Sequence, residues 1–79
     1  MAKASSVAQF TIRFADHLSD PYRGSFTDTI GSCGLATEIT RNHMSVDVFR
    51  ASKAARLRNS LSHWERYGYL TWSESGGTE

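Results

Sequence analysis

The 79-residue sequence predicts one small domain, mainly α with a small β-sheet, in the order helix, strand, helix, helix, strand. Three observations predict it. The length leaves room for a single domain. An apolar repeat at helical spacing runs through residues 54–64, and two short runs rich in β-forming residues lie at 26–30 and 69–72. We expect the domain to span residues 6–73, after a disordered N-terminus (1–5) and before a flexible tail (74–79).

The first element, residues 6–19, is interpreted as a helix. Ser6 and Gln9 fit a capping box, and apolar residues recur at helical spacing at Val7, Phe10, Phe14 and Leu18. A half-buried strand is the alternative, because apolar residues also alternate with polar ones at Ala8, Phe10, Ile12 and Phe14. The capping signal and the reach to Leu18 favour the helix, which we expect to end before Pro21.

The middle of the chain is predicted to hold a strand and a second helix. Residues 22–25 are interpreted as a loop, and Phe26 to Ile30 as a short strand closed by Gly31. The second helix is expected from Leu35 to His43. A turn follows at residues 42–45.

The third helix, residues 49–66, has the clearest pattern. Its inward stripe is expected to be Ala54, Leu57, Leu61 and Trp64. At about 100° per residue, the opposite side collects Ser52, Arg56, Asn59, His63 and Arg66. Gly68 is expected to end the helix in a left-handed conformation, and residues 69–72 to form the last strand.

Positive charge is concentrated in one third of the chain. The net charge is −1 over residues 1–40, +4 over 41–66 and −2 over 67–79. Such asymmetry indicates an anionic partner. Cys33 is the only cysteine, which indicates a reducing compartment. The sequence shows neither a secretory signal nor an apolar run long enough to span a membrane, so we expect a cytoplasmic protein.

The segment from Ala54 to Thr71 resembles the recognition helix, and the step into the wing, of winged helix-turn-helix regulators. Residues 26–30 and 35–40 resemble that superfamily's first strand and second helix. The resemblance covers about two thirds of the chain and implies a DNA-binding domain. Two departures put wing contacts in doubt: the link at 42–49 is longer than the usual turn, and no second wing strand is present.

The resemblance implies that helix 50–66 reads the major groove. Base edges would be contacted by Ser52, Lys53, Arg56 and Asn59. Phosphates would be held by Arg41, Arg50, Arg58, Ser60, Ser62, His63 and Arg66. Solvation alone is the alternative for this charged face, and Arg58 could instead lie over the core. Trp64 is expected in the core; core packing, base stacking and contact with a second subunit all stay open for Tyr67, Tyr69 and Trp72.

The predicted function is sequence-specific binding of double-stranded DNA by a transcriptional regulator of a phage or mobile element, acting as a homodimer on two half-sites. The alternative is a protein-interaction module, for example a phage-encoded inhibitor that binds a host protein. Neither enzyme activity nor a cofactor is expected. Cys33 has no base in its local sequence to activate it, and the histidines and Cys33 lack metal-ligand spacing.

Overall fold

The structure, a computed structural model, describes residues 6–76. Its elements are β1 (Ala8–Phe14), α1 (Asp20–Gly31), β2 (Leu35–Ile39), β3 (His43–Val48), α2 (Ala51–Arg66) and β4 (Leu70–Ser75). The four strands form one antiparallel sheet in the order β2-β3-β1-β4. This combination of element order and strand order is that of the split βαβ, or ferredoxin-like, arrangement.

The predicted mainly α, winged helix-turn-helix fold is therefore wrong. The first element is a strand: Ala8 and Ile12 are buried, whereas Val7, which the helical stripe required inside, is 46% exposed. Residues 26–30 belong to a helix, and residues 35–43 form β2, a turn and the start of β3. The predicted tail begins inside β4, which continues to Ser75. Residues 1–5 and 77–79, where the predicted disordered ends also fall, lie outside the described part.

The last part of the chain follows its prediction. Helix α2 covers Ala51–Arg66, with Ala54, Leu57 and Leu61 buried. Gly68 has a φ of 78°, the left-handed conformation expected of a glycine that follows a helix. Of the strand predicted at residues 69–72, residues 70–72 are confirmed as part of β4, whereas Tyr69 precedes it.

Helix α1 begins where the sequence was expected to end one. Ser19 takes the N-cap position with extended backbone, and Pro21 lies in the first turn. Proline suits that turn because its fixed φ is helical and the amide hydrogen that it lacks would have no partner there. The threonines of the predicted strand are accommodated because Thr27 and Thr29 donate their hydroxyls to the carbonyls of Arg23 and Ser25.

The core lies between the two helices and one face of the sheet. Strand β1 is central, so Ile12 stands opposite Met44 of β3 on one side and Trp72 of β4 on the other. Helix α2 adds Leu57 and Leu61, both fully buried. Burying each such side chain contributes about 1.5–3 kcal/mol.

Arg23 is the one charged residue buried in the described part of the chain. Its guanidinium donates to the Leu18 carbonyl and to the Asp20 carboxylate, the latter at 3.2 Å. A buried charge is tolerated only when paired and hydrogen-bonded. Arg23 thereby ties the bend at residue 18 to the first turn of α1.

No element of the described residues, 6–76, covers the other face of the sheet. Its central row is made of hydroxyl side chains, because Thr11 of β1 stands opposite Ser45 of β3 and Ser73 of β4. Arg13 also points to this face and is exposed. The strand positions with aromatic side chains, Phe10, Phe14 and Trp72, alternate with these and pack with the core instead.

Replacement of Gly34 and of Gly24 by alanine should change the stability of the fold in opposite directions. A Cβ added to Gly34 would lie 2.2 Å from the carbonyl oxygen of Asp47, whereas one added to Gly24 would meet nothing within 4 Å. Gly24 is inside α1, where alanine is favoured by about 1 kcal/mol over glycine. We expect Gly34→Ala to lower, and Gly24→Ala to raise, the midpoint of urea denaturation followed by circular dichroism. Loss of stability in Gly24→Ala would contradict a helix at that position.

Candidate nucleic-acid interface on helix α2

Helix α2 buries one side and exposes the other. Ala54, Leu57 and Leu61 pack into the core, with Trp64 half-buried beside them. We call the opposite side the α2 stripe; its members are all exposed, and they are Ser52, Arg56, Asn59, His63 and Arg66. The sequence predicted this division because the spacing of the apolar residues allows only one inward side.

The remaining predicted site residues do not all join the stripe. Arg50 is exposed at the N-cap position of α2, at one end of it. Lys53 and Ser60 are half-buried at the stripe's edge, and the Lys53 ammonium lies 3.5 Å from the carbonyl of Ser32 after α1. Arg41 lies outside the helix, in the turn between β2 and β3, 3.8 Å from Asp20.

Arg58 is held by an acidic residue of its own domain. Its guanidinium donates two hydrogen bonds of 2.7 Å to the Glu74 carboxylate, which β4 places beside α2. These hydrogen bonds lower the pKa of Glu74 and raise the pKa of Arg58 from their ordinary values. The Arg58 charge is thus paired with a carboxylate of the same domain. We therefore do not include Arg58 among the cations that are open to an outside anion.

Three arginines of this helix remain open. Among residues 6–76, Arg50, Arg56 and Arg66 form no ion pair within 4 Å. Arg56 and Arg66 are ten positions apart, which is about 15 Å along a helix. A single DNA strand rises about 3.4 Å per nucleotide, so this distance covers roughly four nucleotides. The two guanidiniums are therefore far enough apart to contact separate nucleotides.

Aromatic rings continue from the end of the α2 stripe. The His63 ring meets Tyr67 edge-on, with centroids 5.0 Å apart, and Tyr67 stacks on Tyr69 at 5.6 Å. Tyr69 in turn contacts Phe26 of α1 at 5.6 Å. Sequence reasoning missed the contribution of α1, because residues 22–30 were interpreted as a loop and a strand. The spacing of Leu18, Tyr22 and Phe26, four residues apart, was the available signal of a shared helix side.

Three other observations concern catalysis, metal binding and the ability of a helix to span a membrane. Cys33 is buried, and its Sγ lies 3.7 Å from the Thr29 carbonyl. Residues 6–76 contain no cluster of three or more His, Cys, Asp or Glu side chains arranged to hold a metal ion. In the same part of the chain, neither helix combines the length and apolar character needed to cross a bilayer.

The Arg58–Glu74 pair makes stability depend on pH in a defined direction. A carboxylate whose pKa is lowered by folding stabilises the native state above its unfolded pKa, about 4.3 for Glu, and that contribution is lost as pH falls through the lower folded pKa. We expect Glu74→Gln to be less stable than wild type at neutral pH, with a difference that shrinks below about pH 4.3. Urea denaturation of both proteins across this range measures it. A difference that stays constant down to the acid limit would show that the ion pair has no part in it.

The chemistry of the site is therefore that of a binding surface: open guanidiniums on a rigid helix, an amide and an imidazole between them, and aromatic rings at one end. Arginines on such a surface suit phosphate groups, which accept two hydrogen bonds from one guanidinium. Comparisons of the chain with protein-family models, with curated proteins and with solved structures found no match.

Proposed function

We propose that this domain binds double-stranded DNA through the α2 stripe. The observation that carries the proposal is a set of exposed arginines that form no ion pair within the described part of the chain: Arg50 at the N-cap of α2, and Arg56 and Arg66 on the helix side that faces away from the core. In proteins that bind DNA, contacts with phosphates supply a large share of the affinity, because each phosphate that is neutralised releases counterions from the DNA.

The geometry of a single exposed helix suits the major groove. That groove of B-DNA is wide enough to admit an α-helix. Arg56 and Asn59, near the middle of the α2 stripe, have the side chains that pair with guanine and with adenine. Arg50 and Arg66, toward the two ends of the helix, would then contact the phosphates of the backbone.

The uncovered face of the sheet is a weaker candidate for nucleic acid. Sheet surfaces that bind single strands do so by stacking bases on aromatic side chains. Here the central row of that face is Thr11, Ser45 and Ser73, and the neighbouring aromatics turn into the core. The face also has acidic residues, Glu38 and Asp47, opposite Ser45 and Gln9.

The salt dependence of binding tests the proposal. With the phosphates assigned to Arg50 and Arg66 neutralised, the logarithm of the binding constant should fall with the logarithm of salt concentration with a slope of about −2. Arg66→Ala should weaken binding to all sequences and make the slope shallower by about 1, whereas Arg56→Ala should weaken binding through loss of the guanine contact with little change in slope. Fluorescence anisotropy of a labelled duplex, titrated between about 50 and about 200 mM salt, gives both quantities.

Arg13→Ala is the matched control, because it removes the same charge from the uncovered face of the sheet. We expect it to leave both affinity and slope close to wild type. Equal losses in Arg13→Ala and Arg56→Ala would mean that net charge alone drives binding. Absence of binding by wild type at low salt would overturn the proposal.

A protein-binding function is supported by a different surface. Strand β2 is an edge of the sheet, with Leu35 61% exposed and Ile39 59% exposed. Exposed edge strands with apolar side chains are sites where another chain can add a strand. Failure of the DNA titration, together with a partner protein whose binding is lost in Leu35→Lys but kept in Arg56→Ala, would favour this second function.

A further inference from the structure

An apolar cleft lies between the start of α1 and the start of β4. It is lined by Leu18, Tyr22, Phe26 and Tyr69, and its volume is about 360 Å³. Tyr22 is 65% exposed at the rim. Phe26 lies deeper, with its ring centroid 4.7 Å from that of Trp64 and 5.6 Å from that of Tyr69. The cleft therefore has an accessible aromatic ring at its rim and a fixed aromatic wall behind it.

Contacts between aromatic rings connect the cleft to the α2 stripe. His63, a member of the stripe, meets Tyr67, and Tyr67 stacks on Tyr69, which lines the cleft. Tyr67 is 61% exposed, so this connection is itself open to a ligand. A strand of nucleic acid that leaves the stripe beyond His63 would meet these rings next.

None of the four side chains that line the cleft carries a charge. Asp20, Arg23 and Arg41 line a separate pocket on the other flank of α1, so the Asp20 carboxylate does not face the cleft.

We propose that this cleft binds one unpaired base of a DNA whose duplex part lies on the α2 stripe; the inference rests on the proposed function. Stacking on aromatic side chains is the interaction by which proteins bind unpaired bases of any sequence. Taking a base out of a duplex breaks its pairing and its stacking, which opposes binding. The cleft therefore favours a base that is already unpaired, at the junction between a duplex and a single-stranded overhang.

The charge surroundings support a base over an apolar side chain of a partner protein as the occupant. A cleft built for a protein side chain needs only the apolar walls that Leu18 and Phe26 supply. Here contacts between aromatic rings connect the cleft to a helix whose exposed arginines, Arg56 and Arg66, form no ion pair among residues 6–76. An unpaired base attached to a phosphate chain matches both parts of this surface.

The experiment compares three probes with three proteins. The probes are a blunt duplex and the same duplex with a short thymidine overhang, placed at the 5′ end or the 3′ end. The proteins are wild type, Tyr22→Ala and Tyr22→Phe; because Tyr22 is largely exposed, neither substitution removes a core contact. Anisotropy gives the affinity of each pair, and circular dichroism checks that each variant is folded.

We expect wild type to bind one overhang probe at least about fivefold more tightly than the blunt duplex, the gain typical of stacking one base. Tyr22→Ala should lose this preference and keep the affinity for the blunt duplex, and Tyr22→Phe should retain it. Equal affinity of wild type for blunt and overhang probes would overturn the cleft proposal while leaving duplex binding intact. Failure to bind any probe would overturn the proposed function and the cleft proposal together.

Discussion

The fully buried side chains of Leu57 and Leu61 hold α2 against the inner face of the sheet, and most of the surface described above depends on that contact. The sheet offers them a continuous apolar face because β1 is central, flanked by β3 and β4, with Phe10 and Ile12 turned inward. Because the leucines are buried, helical periodicity places Arg56 and Arg66 on the opposite, solvent-facing side of α2. The position of the cations is thus a consequence of core packing.

The same constraint explains why part of the fold could be predicted from the sequence and part could not. In α2, the spacing of Ala54, Leu57 and Leu61 fits one helical side and no alternating pattern, so helix, inward side and outward side were all found. In β1, two patterns share Phe10 and Phe14: one adds Val7 and Leu18, the other Ala8 and Ile12. The segment forms a strand because it pairs with β3 and β4. Pairing with residues that are distant in the chain cannot be predicted from the local sequence.

Two further errors have separate physical causes. Pro21 was interpreted as ending a helix, although proline in a first turn begins one just as well. Leu35 and Ile39 are four residues apart and imitate a helical side, yet both are exposed on β2, whose pairing with β3 is interrupted by a register shift between Ala36 and Glu38. A bulge of that kind breaks the alternation by which a strand is normally found.

The candidate site likewise has one part that could be predicted from the sequence and other parts that could not. The α2 stripe was predictable because it belongs to one helix. The Arg58–Glu74 pair was not, because the tail was expected to leave the domain before residue 74 and in fact stays beside α2 in β4. The aromatic cleft was not predictable either, since it joins residues of α1 to Tyr69 across the domain. Surfaces made by one element follow from its periodicity, whereas surfaces made by two need the fold.

The most direct measurement of the central claim is a titration of the isotope-labelled protein with duplex DNA, followed by the backbone amide signals in nuclear magnetic resonance. Binding through α2 predicts shifts concentrated at residues 50–69, with the amides of Thr11, Ser45 and Ser73 on the uncovered sheet face left in place. Shifts centred on that face or on β2, or no shifts at low salt, would contradict the account.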